Sequence, residues 1–210
     1  MNPKMKQMNQ KLNLQLKDNK FDIIAWSYFE LHKRYDEKTA MHEYRVAKLA
    51  MEVASEITNN KEVIKNIYYA GLLHDLGKIF VPLSILKNNN YISNNEMNII
   101  REHSKKGATL LKEIGFNKFI VRAVKQHHER LDGSGYPEGL MNEEISMEGR
   151  IIAVCDSYDA MSSPRPYRKG VYSDDIIFEK LLSKNRVLYD PHIINIMEEI
   201  VKDDKKVSYI

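Results

Sequence analysis

Residues 37–58 read EKTAMHEYRVAKLAMEVASEIT, and this stretch decides the fold class. Val46, Leu49 and Val53 recur at three- and four-residue spacing, the period of a helix that turns one face to a core, and His42 falls on that face. Working outward, helical periodicity returns over 21–35, 62–74, 94–111, 118–128, 147–161, 173–182 and 192–201. No stretch alternates apolar and polar residues with β-branched enrichment between turns. The sequence therefore predicts an all-α bundle of about eight helices. Ser93 with Glu96 forms a capping-box pattern, and Ser146 and Ser173 are candidate N-caps. Gly77, Gly115 and Gly170 fall past proposed helix ends, and every proline except Pro3 falls in a proposed connection.

The composition is that of an ordinary globular chain: 210 residues, 43% apolar and 29% charged. No run of 18 apolar residues is present, so nothing in it reads as a membrane span. The opening MNPKMKQMNQ lacks a secretory signal, and the single cysteine, Cys155, forbids an internal disulfide; both fit a cytoplasmic protein. The formal charge of +3 is uneven, with five lysines against one acid in residues 1–20 and a nearly neutral remainder. That excess sits on a polar tail or linker and gives no warrant for nucleic-acid binding. Residues 21–210 read as a single domain.

Seven histidines stand out. Besides His42, His74 shares a face with Ile64, Ile67 and Gly71, His103 with Ile99, Gly107 and Leu110, and His127 and His128 with Ile120, Val121 and Val124. Any one could be a buried ring with a hydrogen bond. Five on four helices cost free energy to bury unless each finds a partner, and a metal centre supplies partners to all of them. The doublets His74-Asp75 and His127-His128 add ligands that diverge by about 100° around a helix, enough to wrap one side of a centre. Asp75 has two oxygens and can bridge two ions; Asp156, next to Ile152 and Ala160, offers a second carboxylate. Imidazoles and carboxylates without thiolate favour iron, manganese, zinc or nickel. Two such ions leave a cationic centre that wants an anionic ligand, and phosphate esters are the natural class. Lys78 could reach a phosphoryl oxygen, or could be a solvated lysine at a helix end.

The longest connection, 129–144, reads ERLDGSGYPEGLMNEE and exceeds an ordinary helix-to-helix loop, so it is either disordered or functional. Glu129 and Asp132 are candidates to orient the histidine doublet, and Asp159 to cap a helix or pair with Arg165. Cys155 reads as core packing.

HDLGK (74–78), HHERLDGSGYP (127–137) and RIIAVCDSYDAMSSPRPYR (150–168), in that order, resemble the HD-GYP branch of the HD-domain metal-dependent phosphohydrolases; the likeness extends over about 36–200. It implies an HD-domain helical bundle around a binuclear metal site that hydrolyses cyclic di-GMP, with either the linear dinucleotide or GMP as the end product. Carried over by position, one ion falls to His42, His74, Asp75 and Asp156, the other to Asp75, His103, His127 and His128. Iron or manganese is the expected metal, zinc or nickel the alternative. Members with a third metal have a glutamate four residues before the first histidine; here that place is Lys38, which argues for two ions. By the same likeness Lys78 contacts phosphate, Arg165 and Arg168 contact the nucleotide, and Gly135-Tyr136-Pro137 belong to a loop linked to substrate and to docking of diguanylate cyclase domains. Tyr136 itself could stack on a base, face a partner, or plug the loop onto the core. Another cyclic or linear dinucleotide such as cyclic GMP-AMP, and a binding module that does not hydrolyse, are the alternatives. The apolar helix 21–35 could cap the core or pack on a second copy as a homodimer.

Overall fold

The computed structural model describes residues 20–86, 88, 92–163, 170–182 and 187–208. Among these the chain is all-helical: α1 (Lys20–Tyr35), α2 (Glu37–Ile57), α3 (Lys61–Leu73), α4 (Leu83–Leu86), α5 (Asn94–Ile114), α6 (Lys118–Gln126), α7 (Met147–Ser162), α8 (Asp174–Leu181) and α9 (Pro191–Ser208), with 3-10 turns at Leu76–Phe80 and Asn142–Glu144. The two 3-10 turns and the four-residue α4 went unforeseen because they are too short for a periodic signal. The tail before residue 20 lies outside the described residues.

Side chains close most helix starts as their chemistry dictates. Ser93 and Glu96 make the full capping box on α5, and the Ser146 hydroxyl accepts the Gly149 N–H on α7. Asp36, Asn60 and Asn117 do the same for α2, α3 and α6. Ser173 precedes α8 without a capping bond from its side chain. Pro191, expected in a connection, instead opens α9, where a missing N–H is not needed. Gly115 ends α5 in the left-handed conformation, whereas Gly77 lies inside a 3-10 turn and Gly170 well past the end of α7.

The core forms where α2, α3, α6 and α7 meet, with Val46, Ala50, Leu72, Val124, Ile152 and Cys155 fully buried. At the centre of the α2–α3 crossing, Gly71 lets the two backbones touch. A Cβ there would lie 2.6 Å from the Ala47 Cα. α1 lies over this crossing: Ala25 and Phe29 are buried, and the Asp22 carboxylate accepts from Lys65 Nζ (3.0 Å) and the Tyr69 hydroxyl (2.5 Å). It thus serves as a cap on the core, leaving Ile23 and Leu31 exposed. No helix among the described residues is long and apolar enough to cross a membrane.

Candidate metal centre

Both histidine doublets fall just past helix ends. α3 stops at Leu73 and α6 at Gln126, so His74 and His127 are C-cap residues, and Asp75 and His128 follow in the turns. His74 and His127 keep helical backbone angles while the residue after each opens a turn, and both members of each doublet approach one centre. Asp75 leads into the Leu76–Phe80 turn, pressed onto α5 at Gly77: a Cβ at Gly77 would lie 1.9 Å from the His103 carbonyl oxygen. Only glycine permits this approach, and it brings Asp75 beside His103.

The structure brings the seven proposed ligands together. Asp75 faces both halves of the cluster, with Oδ2 3.5 Å from His74 Nε2 and Oδ1 3.4 Å from His103 Nε2. Asp156 Oδ1 lies 3.1 Å from His42 Nε2 and 3.9 Å from His74 Nε2. The atoms that could hold an ion fall into two groups, His42, His74 and Asp75, and His103, His127 and His128, each spanning at most 4.8 Å.

Three rings are held in the same way. The Nδ1 atoms of His74, His103 and His127 lie 2.7, 2.6 and 2.7 Å from the carbonyls of Gly71, Ile100 and Val124. A carbonyl only accepts, so each Nδ1 carries the proton and each Nε2 is turned inward as the free nitrogen. The His103 and His127 Nε2 atoms face each other at 3.3 Å, and His74 Nε2 is buried without a hydrogen-bond partner. Lone pairs converging in a buried space repel unless a cation lies between them, and this donor set fits divalent first-row ions. His42 is held differently: its Nδ1 contacts Asp159 Oδ2 at 2.7 Å, and Arg45 clamps Asp159 through Nε (2.6 Å) and Nη2 (2.9 Å). Asp159, expected to cap a helix or to pair with Arg165, thus joins His42 to Arg45. Arg165 and Arg168 lie outside the described residues.

Burial sets the protonation of one half, and hydrogen bonds and charges that of the other. It removes the charged form of His127, whose pKa falls well below the usual value, and lowers His128 to about 3 and His103 by less. Burial pushes His42 down too, but its bonds to Asp156 and Asp159 outweigh it and raise the ring to about 9. Burial would raise Asp75 and Asp156. Lys78 and the histidines hold Asp75 well below the usual carboxylate range instead, and the His42 hydrogen bond and neighbouring imidazoles do the same for Asp156. Lys78 is not a solvated lysine: its ammonium contacts Asp75 Oδ2, with the side chain about one third exposed.

The 129–144 loop is built from Glu129, which does not orient the histidines as expected. Its buried carboxylate accepts the backbone N–H groups of Glu138 (2.7 Å) and Leu140 (3.0 Å), pinning the loop across itself. Asp132 likewise accepts from Ser134 within the loop. The Tyr136–Pro137 bond is cis, and the Tyr136 ring stacks on His128 with centroids 4.7 Å apart and planes 29° apart. Tyr136 therefore plugs the loop onto the cluster. Cys155 is fully buried, as its apolar face predicts.

The HD domain family model matches residues 20–193. A cyclic di-GMP phosphodiesterase of Pseudomonas aeruginosa is 40% identical over 139 residues, which are 66% of this chain and 34% of that protein. A 3'3'-cGAMP-specific phosphodiesterase of Vibrio cholerae is 35% identical over 139 residues, 66% of this chain and 32% of that protein. The chain thus spans about a third of the length of these two relatives. Among solved structures, an HDG"Y"P protein of Bdellovibrio bacteriovorus aligns with a TM-score of 0.62 at 21% identity, over 77% of this chain and 51% of that one, a likeness of fold. With the family pattern matched over most of its length and its histidine–aspartate pairs drawn into one buried cluster, the chain belongs to the HD domain family.

Proposed function

We propose that this domain is a metal-dependent phosphodiesterase that hydrolyses cyclic di-GMP to the linear dinucleotide and onward in part to GMP. The observation that carries the reading is the meeting of the His103 and His127 Nε2 atoms at 3.3 Å beside Asp75, whose two oxygens face both halves of the cluster. Two divalent ions, iron or manganese before zinc or nickel, would be held by His42, His74, Asp75 and Asp156, and by Asp75, His103, His127 and His128. Bound there, they supply Lewis-acid chemistry and a water that is deprotonated near neutral pH. Lys38 is exposed at the start of α2 and brings no carboxylate, in keeping with two ions.

The chain's own residues orient and neutralise. The three main-chain carbonyls fix the tautomers of His74, His103 and His127, and Asp159 with Arg45 fixes the ring of His42. Lys78, already against Asp75, is placed to follow the charge that gathers on phosphoryl oxygens during an in-line displacement. Arg165 and Arg168 complete the nucleotide contacts on this reading. A diguanylate cyclase domain would meet the exposed loop tip at Ser134, Glu138 and Gly139, because Tyr136 is turned inward, and a second copy would meet Ile23 and Leu31. A cytoplasmic setting goes with the lone, buried Cys155.

Protein reconstituted with manganese or iron(II) should cut cyclic di-GMP, and Asp75→Ala should not. No turnover by a fully metallated sample overturns the reading. The 35% identity to a cGAMP-specific enzyme supports a second reading, a cyclic GMP-AMP substrate on the same centre. Relative rates on the two cyclic dinucleotides separate them, while tight binding with unchanged nucleotide would instead mark a signalling module.

A further inference from the structure

Arg101 leaves α5 two residues before His103, and sequence reading gave it no role because a single exposed basic residue on a helix carries no signal. Its guanidinium carbon lies 5.4 Å from the centroid of the Tyr136 ring. Tyr136 stacks in turn on His128 and meets His103 edge-on at 6.5 Å. Arg45, Arg122 and Arg150 each pair with a carboxylate. Arg101 has no such pair among the described residues, and its side chain is exposed at the rim of the histidine cluster. An arginine resting on an aromatic ring gives up little conformational freedom when an oxyanion arrives, and its N–H edge stays open for a bidentate contact.

From this geometry we propose that Arg101, seated on Tyr136, binds the second phosphodiester of a cyclic dinucleotide while the first lies at the metal centre. The inference rests on the phosphodiesterase reading above and adds a specificity element to it. A cyclic dinucleotide carries two phosphates. Lys78 is engaged at Asp75 beside the first, and the exposed guanidinium of Arg101 offers a charged partner to an uncut second phosphate at the rim. Arg101 thereby favours ligands with two phosphates over simple diesters.

The test compares the parent protein with Arg101→Ala and Arg101→Lys, loaded with manganese, on cyclic di-GMP and on bis(p-nitrophenyl) phosphate, a diester with one phosphate. Loss of a charged hydrogen bond should raise KM for cyclic di-GMP by about tenfold to a hundredfold in Arg101→Ala. The effect on cyclic di-GMP should exceed that on the simple diester by at least about tenfold, and Arg101→Lys should recover part of it. An unchanged KM for cyclic di-GMP overturns the proposal. So does an equal loss on both substrates with lowered metal content, which would mark Arg101 as a prop for the loop. If the metallated parent cuts neither substrate, the phosphodiesterase reading fails separately, and titration calorimetry with intact cyclic di-GMP decides for Arg101. Weaker binding by Arg101→Ala supports the proposal; equal binding overturns it.

Discussion

Gly71→Ala perturbs the contact that sets the spacing of the first metal group. The added Cβ would lie 2.6 Å from Ala47 Cα, 2.9 Å from Ala47 N and 3.3 Å from Ala47 Cβ. All three belong to the body of α2, so no flexible side chain can swing away. Ordinary contact begins near 3.4 Å, so α3 must retreat from α2 by about 0.8 Å. Overpacking of this kind costs about 1–3 kcal/mol, which for a chain of this size lowers the thermal midpoint by roughly 2–12 °C. His42 rides on α2 and His74 caps the end of α3, so the same retreat spreads the two rings, now 5.4 Å apart between centroids. A displacement near 1 Å costs a reacting centre about a hundredfold in rate. Differential scanning calorimetry on chelator-treated protein reads the first effect, and turnover of cyclic di-GMP at saturating manganese reads the second. A Gly71→Ala protein with the parent's midpoint and rate would refute this account of the crossing.

Other consequences follow from the same contacts. Asp159→Ala frees the Nδ1 edge of His42 and leaves Arg45 unpaired; equilibrium dialysis against a chelator should find metal affinity lowered by about 10–100-fold, and parent-like affinity would contradict the positioning role. Glu129→Ala leaves the N–H groups of Glu138 and Leu140 without their acceptor; faster proteolysis of the 129–144 loop is expected, and parent-like resistance would sink its role as anchor. His32 tests the α1 cap: burial disfavours its charged form, but the Glu43 hydrogen bond and charge prevail and raise its pKa above 6.5. That contribution is full below the unfolded value and is lost as pH rises through the raised folded value. The gap in thermal midpoint between metal-free parent and His32→Gln should therefore narrow as pH rises above 6.5, and a constant gap would count against it.

Much of this arrangement could be read from residue spacing because it rests on local periodicity. The face shared by His42, Val46 and Val53 is turned inward as the helical period requires, and the ends of α3 and α6 fall within a residue or two of where the sequence put them. What escaped depends on partners far apart in the chain. Asp159 meets His42 across 117 residues, and nothing near Asp159 announces that pairing. Glu129 looked like a neighbour of the histidines because it follows them, yet the turn points it back into its own loop. Tyr136 was open to three roles because a glycine-flanked ring can point either way; only its stack on His128 decides between them. Asp75 was legible as a bridge from its two oxygens, but its placement beside His103 needed the close approach of Gly77 to α5.

The central claim is that seven side chains hold two ions. Crystals grown with manganese or iron(II) and measured on either side of the metal's absorption edge test it directly. The account predicts two anomalous peaks per chain with Asp75 between them, one beside His42, His74 and Asp156, the other beside His103, His127 and His128. A single peak, or none at full metal loading, would contradict it.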